Sequence, residues 1–152
     1  MSKVLVNTSA GVKPIGSDPG LQTNVTVDSS NKSFTVPAGR IWEIEWLYVT
    51  LITTATVGNR QLQIEILKAD NTVLAAIPVG IVQAASLTRN YLLAEHLPDL
   101  TAFRNTAYLM TPMPKFTLSA GMKVKVYDIT AVAPAADDMN IQMMVDELQT
   151  AV

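Results

Sequence analysis

The chain has 152 residues and a mass of 16.4 kDa, the size of one domain built on a single core. Half of it is hydrophobic (49%) and only 16% is charged, against about 25% in an average globular chain, so its surface is neutral-polar or partly apolar. A net charge of −2 lacks the basic excess that nucleic acid or an acidic membrane demands, and the absence of cysteine removes thiolate chemistry, disulfides and thiolate metal sites together.

Residues 1–33 differ from the remainder. Gly11, Pro14, Gly16, Pro19 and Gly20 interrupt a polar segment with scattered valines, which predicts an extended N-terminal arm. Lys3–Val6 and Leu21–Val27 are its two strand-forming runs, able to add to an exposed edge of a neighbouring subunit or shell protein. No basic segment followed by an apolar one opens the chain, and no apolar run reaches the length of a membrane helix. A soluble product without a secretory signal is expected.

From residue 34 to 152 the sequence predicts strands joined by turns. Val36-Pro37-Ala38-Gly39 is a turn before a long strand, Arg40–Thr54, in which Trp42, Ile44, Trp46 and Tyr48 share one face and Glu43 and Glu45 the other. Leu47, Val49 and Leu51 make that second face apolar as well, so the strand is expected to end buried on both sides. Arg60–Lys68 alternates Leu62, Ile64 and Ile66 with polar residues, and the turn Asp70-Asn71 closes a hairpin with Thr72–Ile77. Ile81–Leu93 is assigned as strand on its Thr, Asn and Tyr content, Glu95–Arg104 as a loop around Pro98, and Thr106–Thr111 as strand. Lys115–Leu118 leads into a run in which Met122, Val124 and Val126 alternate with polar residues. The last strand alternates Met139, Ile141, Met143 and Val145. Short strands at this spacing define an all-β chain, an antiparallel β-sandwich of jelly-roll type with the arm in front of it.

Residues that could carry chemistry are few. His96 is the one histidine and stands beside no nucleophile motif, so an ordinary loop role is expected, and zinc lacks ligands. Asp128, Asp137 and Asp138 are oxygen donors that a calcium site could use, although turn capping or pairing with an arginine suits them better. Glu43 and Glu45 lie at a spacing compatible with a glycosidase pair, but a solvated strand face is the stronger expectation. Trp42 and Trp46 on one face suggest a sugar-stacking platform less than they suggest core. Met139 and Met143 read as core, with Met110, Met113 and Met144 on a contact surface. No catalytic, cofactor-binding or metal residue is assigned, and no cofactor is expected.

Four stretches carry a resemblance: VPAGR at 36–40, TVGNR at 56–60, QAASLTR at 83–89 and AADDM at 135–139. Together they resemble small jelly-roll virion proteins encoded among the structural genes of tailed bacteriophages, over about residues 34–147. The resemblance implies a capsid decoration or cement protein, commonly trimeric, bound to the major capsid protein on the outer shell; it carries over no catalytic residue. Locally, Arg60 is expected to pair with Asp137 or Asp138, and the alanines of QAASLTR to permit close approach of a sheet or sister subunit. The high apolar content agrees with a homotrimer. A different class, a carbohydrate- or receptor-binding module of a virion, is favoured if the tryptophans form an exposed platform, and the lattice role if they are buried.

Overall fold

A computed structural model describes residues 18–26, 30–99, 105–130 and 132–149. Ten strands form two sheets and no helix occurs among the described residues. They are β1 (Asp18–Asn24), β2 (Asn31–Thr35), β3 (Arg40–Ile52), β4 (Leu62–Leu67) and β5 (Val73–Pro78), then β6 (Thr88–Ala94), β7 (Tyr108–Pro112), β8 (Thr117–Ser119), β9 (Lys123–Asp128) and β10 (Asp138–Gln149). One sheet runs β1-β10-β3-β6-β7 with β8 also on β3, and the other runs β2-β9-β4-β5. Strands pair first with last, β1 with β10, then β2 with β9, β3 with β6, and β4 with β5. This nesting of antiparallel pairs, split between two facing sheets, is the winding of a jelly-roll sandwich. The added β7 is the exception, lying parallel to β6.

The period-2 runs bury as their patterns require. Leu62, Ile64, Ile66, Val124, Val126, Ile141 and Met143 join Val49, Leu51 and Leu93 in one core between the sheets. The β4–β5 hairpin turns at Asp70 and Asn71, where the Thr72 amide donates to Asp70 Oδ1 at 2.9 Å and Asn71 takes φ 69°. The Pro37 turn closes with Arg40 N donating to Pro37 O at 3.2 Å, and Gly39 at φ 71° supplies the left-handed residue it needs.

Several expectations change. Residues 18–24 and 31–33, read as arm, are strands of the sandwich: Pro19 and Gly20 signalled a break, but β1 is an edge strand, where a missing amide costs little. The Lys3–Val6 run lies outside the described residues. Strand in this stretch begins only at Thr88, with β6; Ile81–Leu87 is a loop held by the Arg60–Gln83 bridge and by backbone bonds of Ser86 and Leu87 to Thr54 and Thr53. Met113, expected on the surface, is buried, because Met113 N donates to Ala94 O and draws the chain after β7 back onto the core.

The largest change lies in β3. Its pairing with β10 slips by one residue: Met144 opposes Trp46 while Val145 opposes Ile44, leaving Glu45 as the extra residue of a β-bulge. Trp42 and Ile44 point inward before it, and Leu47, Val49 and Leu51 after it. Trp46 and Tyr48 therefore turn to the outer face and are half-buried there, instead of sharing the core with Trp42.

Candidate functional site

Two places concentrate side-chain chemistry: a buried junction at one end of the sandwich, and the outer face of the larger sheet. The junction is centred on Arg60, which is wholly buried after the turn that follows β3. Its guanidinium donates from Nε to Asp137 Oδ2 at 2.7 Å and from Nη2 to Asp137 Oδ1 at 3.1 Å, a bidentate pair between two groups with no exposed side-chain surface. Nη1 donates to the carbonyls of Thr56 and Gly58, and Nη2 also reaches Thr54 Oγ1 at 3.2 Å, so all five guanidinium N–H groups are satisfied. Thr54 completes the carboxylate's shell, donating from both its amide and its hydroxyl to Asp137 Oδ1 at 2.7 and 2.9 Å. Burial alone would raise the Asp137 carboxyl, but the hydrogen bonds and charge of Arg60, with those of Thr54, outweigh it and hold the group below the usual aspartate range.

The same junction gathers the loop after β5. Arg60 and Gln83 exchange backbone hydrogen bonds at 2.8 Å each. Buried Gln83 donates from Nε2 to the carbonyls of Leu51 and Leu87, and its Oε1 accepts from the Tyr91 hydroxyl at 2.8 Å. Burial pushes the Tyr91 phenol well above its usual range. Thr53 Oγ1 donates to Ala84 O at 2.8 Å and accepts from Leu87 N at 3.0 Å. Stretches 56–60, 83–89 and 135–139, far apart in sequence, thus meet in one hydrogen-bonded lock. The remaining stretch, 36–40, sits elsewhere, at the turn into β3. Of the two expected partners of Arg60, Asp137 and Asp138, it is Asp137 that pairs with it.

The outer face of the larger sheet is built in rows by strand register. One row crosses Leu21, Met144, Trp46, Ala94 and Pro112; the next crosses Thr23, Gln142, Tyr48, Leu92 and Met110. Trp46, Tyr48, Leu92, Ala94 and Gln142 line a shallow depression of about 440 Å³. At one end of this apolar strip Glu43, Glu45 and Asp146 bring carboxylate oxygens within 4.8 Å of one another. Lys115 enters the cluster, with Nζ 2.5 Å from Glu45 Oε1 and 3.4 Å from Glu43 Oε2. Its hydrogen bond to Glu45, reinforced by Glu43, holds the ammonium above the usual lysine range.

The other sheet presents a different outer face. Gln63 donates to Tyr127 Oη and Glu65, the Tyr127 hydroxyl donates to Glu65 Oε1 at 2.7 Å, and Lys125 Nζ lies 4.0 Å from the Tyr127 ring centre. That surface is hydrogen-bonded and charged, as a solvated face is; the Trp46 face is apolar across several strands.

His96, Asp128 and Asp138 are not brought together with the other candidates. His96 is exposed at φ 61°, with Glu95, its sequence neighbour, 3.7 Å away. Asp128 Oδ1 caps a turn by accepting from Gln61 N, Thr130 N and Thr130 Oγ1, while its buried Oδ2 has no partner among the described residues. Asp138 opens β10 opposite Ile52. Glu43 and Glu45 do meet, joined by Asp146 and bridged by Lys115. The tryptophans divide: Trp42 is buried, donating from Nε1 to Glu147 Oε2 at 2.8 Å, and Trp46 faces out.

No protein-family model matches the chain, and no curated protein matches it. Among solved structures it is similar to one from the Gx strain of infectious bursal disease virus, with TM-score 0.32 and 13% identity over 90% of this chain and 38% of that one. A structure of the Gt strain gives 0.30 and 11% over 96% and 45%, and one of a T13 particle of that virus gives 0.29 and 12% over 95% and 41%. The chain thus spans about two fifths of the length of these neighbours. At such TM-scores the likeness carries no argument, and functional assignment rests on the residues themselves. No helix among the described residues is long and apolar enough to cross a membrane.

Proposed function

We propose that this chain is a non-enzymatic virion structural protein, of the capsid decoration or cement type, that binds the major capsid protein lattice on the outer shell as a homotrimer. The observation that supports this most is the junction itself. Three of the four stretches that resemble tailed-phage jelly-roll proteins are contiguous in space, and their polar residues hold loops together: Arg60 bonds to the Asp137 carboxylate and to the Gln83 backbone, and all three reach nearby backbone or threonine groups. A buried network that serves only to join loops suits a structural protein better than a catalyst. Co-sedimentation with purified shells lacking the protein tests the role: saturable binding at a fixed ratio to shell subunits supports it, and free protein left in the supernatant opposes it. Light scattering at micromolar concentration is expected to give three times the chain mass.

A second function, a glycan-binding module, is favoured by one observation: Trp46 and Tyr48 form a half-buried aromatic pair beside Gln142 on the outer face. Glycan-array binding lost on Trp46→Ala would support it.

A further inference from the structure

Val57 stands at the tip of the loop between β3 and β4, 92% exposed, and we propose that it seats in the depression formed by Trp46, Tyr48, Leu92 and Ala94 of a neighbouring copy. This contact rests on the homotrimer reading above and supplies its interface. Loop tips are the usual place for mobility, but this one is fastened on both sides. Arg60 Nη1 donates to Thr56 O at 2.8 Å and to Gly58 O at 2.7 Å, and Thr130 Oγ1 donates to Asn59 O at 2.7 Å. Gly58 takes φ 142°, and a Cβ there would stand 3.0 Å from Val132 Cγ1 and Cγ2, so the loop packs where only glycine fits. A buried ion pair thus holds an apolar tip rigid in solvent. An anchor fixed before contact loses little conformational freedom on binding, so the rigidity favours docking.

The seat lies on the same chain but out of its own reach. β3 ends at Ile52, and Tyr48 and Trp46 stand back along it by about 13 and 20 Å. The Thr54 amide, bonded to Asp137, keeps the loop at the junction and off the sheet face. Chemistry matches on the two sides. Residues 53–59 include no charged side chain, and neither do the residues that line the depression. Val82 and Ile129, on the adjoining loops tied to Arg60 and Gln61, are exposed and apolar too. Knob and seat are different surfaces, one at the end of the sandwich and one on its outer face. Contacts of this kind run head to tail, and a ring of three closes with every knob and every seat filled.

The test uses introduced cysteines, since the full chain has none of its own. In an equal mixture of Val57→Cys and Ala94→Cys chains, one of them ¹⁵N-labelled, mild oxidation should link one chain of each kind, with far less product from either variant alone. The double variant Val57→Cys/Ala94→Cys should give linked trimers in gels run without reductant. Val57→Asp, altered at an exposed tip, should keep the wild-type melting temperature while its mass by light scattering falls from three chains to one. If the wild type is trimeric and Val57→Asp is equally so, or the mixed link does not form, this contact is overturned and the trimer stands. A monomeric wild type that forms no mixed link overturns both. Links between like cysteines overturn the contact, as do double-variant products that stop at dimers or run on to long ladders. A Val57→Asp chain that stays trimeric but no longer co-sediments with shells would assign the tip to the shell protein, and likewise overturns it.

Discussion

Removing the Asp137 carboxylate should be strongly destabilising, because it strands the buried Arg60 charge. In Asp137→Ala, Arg60 stays buried and loses two charge-assisted hydrogen bonds, and the Thr54 amide and hydroxyl lose their shared acceptor, four bonds in all. Neither partner has exposed side-chain surface through which water could replace them. Breaking a buried ion pair from one side costs about 3–5 kcal/mol, because the remaining charge is left uncompensated. Total stability in a domain of this kind is about 5–15 kcal/mol, so a large part would be lost. With a urea m-value of roughly 2 kcal/mol/M, the unfolding midpoint moves down by about 2 M. Equilibrium unfolding followed by tryptophan fluorescence measures it. The double variant Arg60→Met/Asp137→Leu, which removes both charges and keeps apolar volume, should recover much of the loss. A single-variant cost below about 1 kcal/mol would refute a buried, fully satisfied pair.

The same carboxylate predicts the acid limb of the stability curve. Its folded pKa lies below the unfolded value near about 3.9, so on acidification the unfolded chain takes up the proton first. Its contribution is full above that value and disappears as the pH falls through the lower folded pKa; urea titrations should show wild type losing stability there more steeply than Asp137→Ala. Trp42→Ala should cost about 3–5 kcal/mol and Trp46→Ala roughly 1–2, since only the first lies in the core; equal costs would contradict the bulge at Glu45. Ile64→Asp places a charge among Leu62, Ile66 and Val126 and should abolish cooperative melting, and retained melting at the wild-type temperature would mean its face is wrongly assigned.

The strands whose patterns alternate strictly were legible in the sequence: Leu62-Ile64-Ile66, Val124-Val126 and Met139 to Val145 name their own buried faces, and with them the two-sheet class. The run from Arg40 to Thr54 was not, because both its faces are apolar past Leu47. Such a run is compatible with burial on two sides or with a bulge that exchanges the faces, and local pattern does not separate them. The partner strand decides: Val145 and Met144 oppose Ile44 and Trp46, which only tertiary pairing reveals. Pro19 and Gly20 misled for a related reason, since edge position, which excuses them, is a property of the sheet. A turn motif and an acidic doublet make Arg60 legible as the partner of Asp137 or Asp138, and only the fold selects Asp137. Gln83 as the buried link between Arg60 and Tyr91 carried no sequence signal, being one glutamine among small residues. The acidic cluster was half visible in Glu43 and Glu45; Asp146 and Lys115 reach it from other strands and loops.

Immunogold labelling of intact virus particles, with antibody raised against this chain, tests the proposed virion role most directly. The account predicts gold distributed over the whole shell surface, in numbers that scale with shell subunits, and absent from particles of a deletion strain. Label confined to the tail, or protein recovered only free of particles, would contradict it.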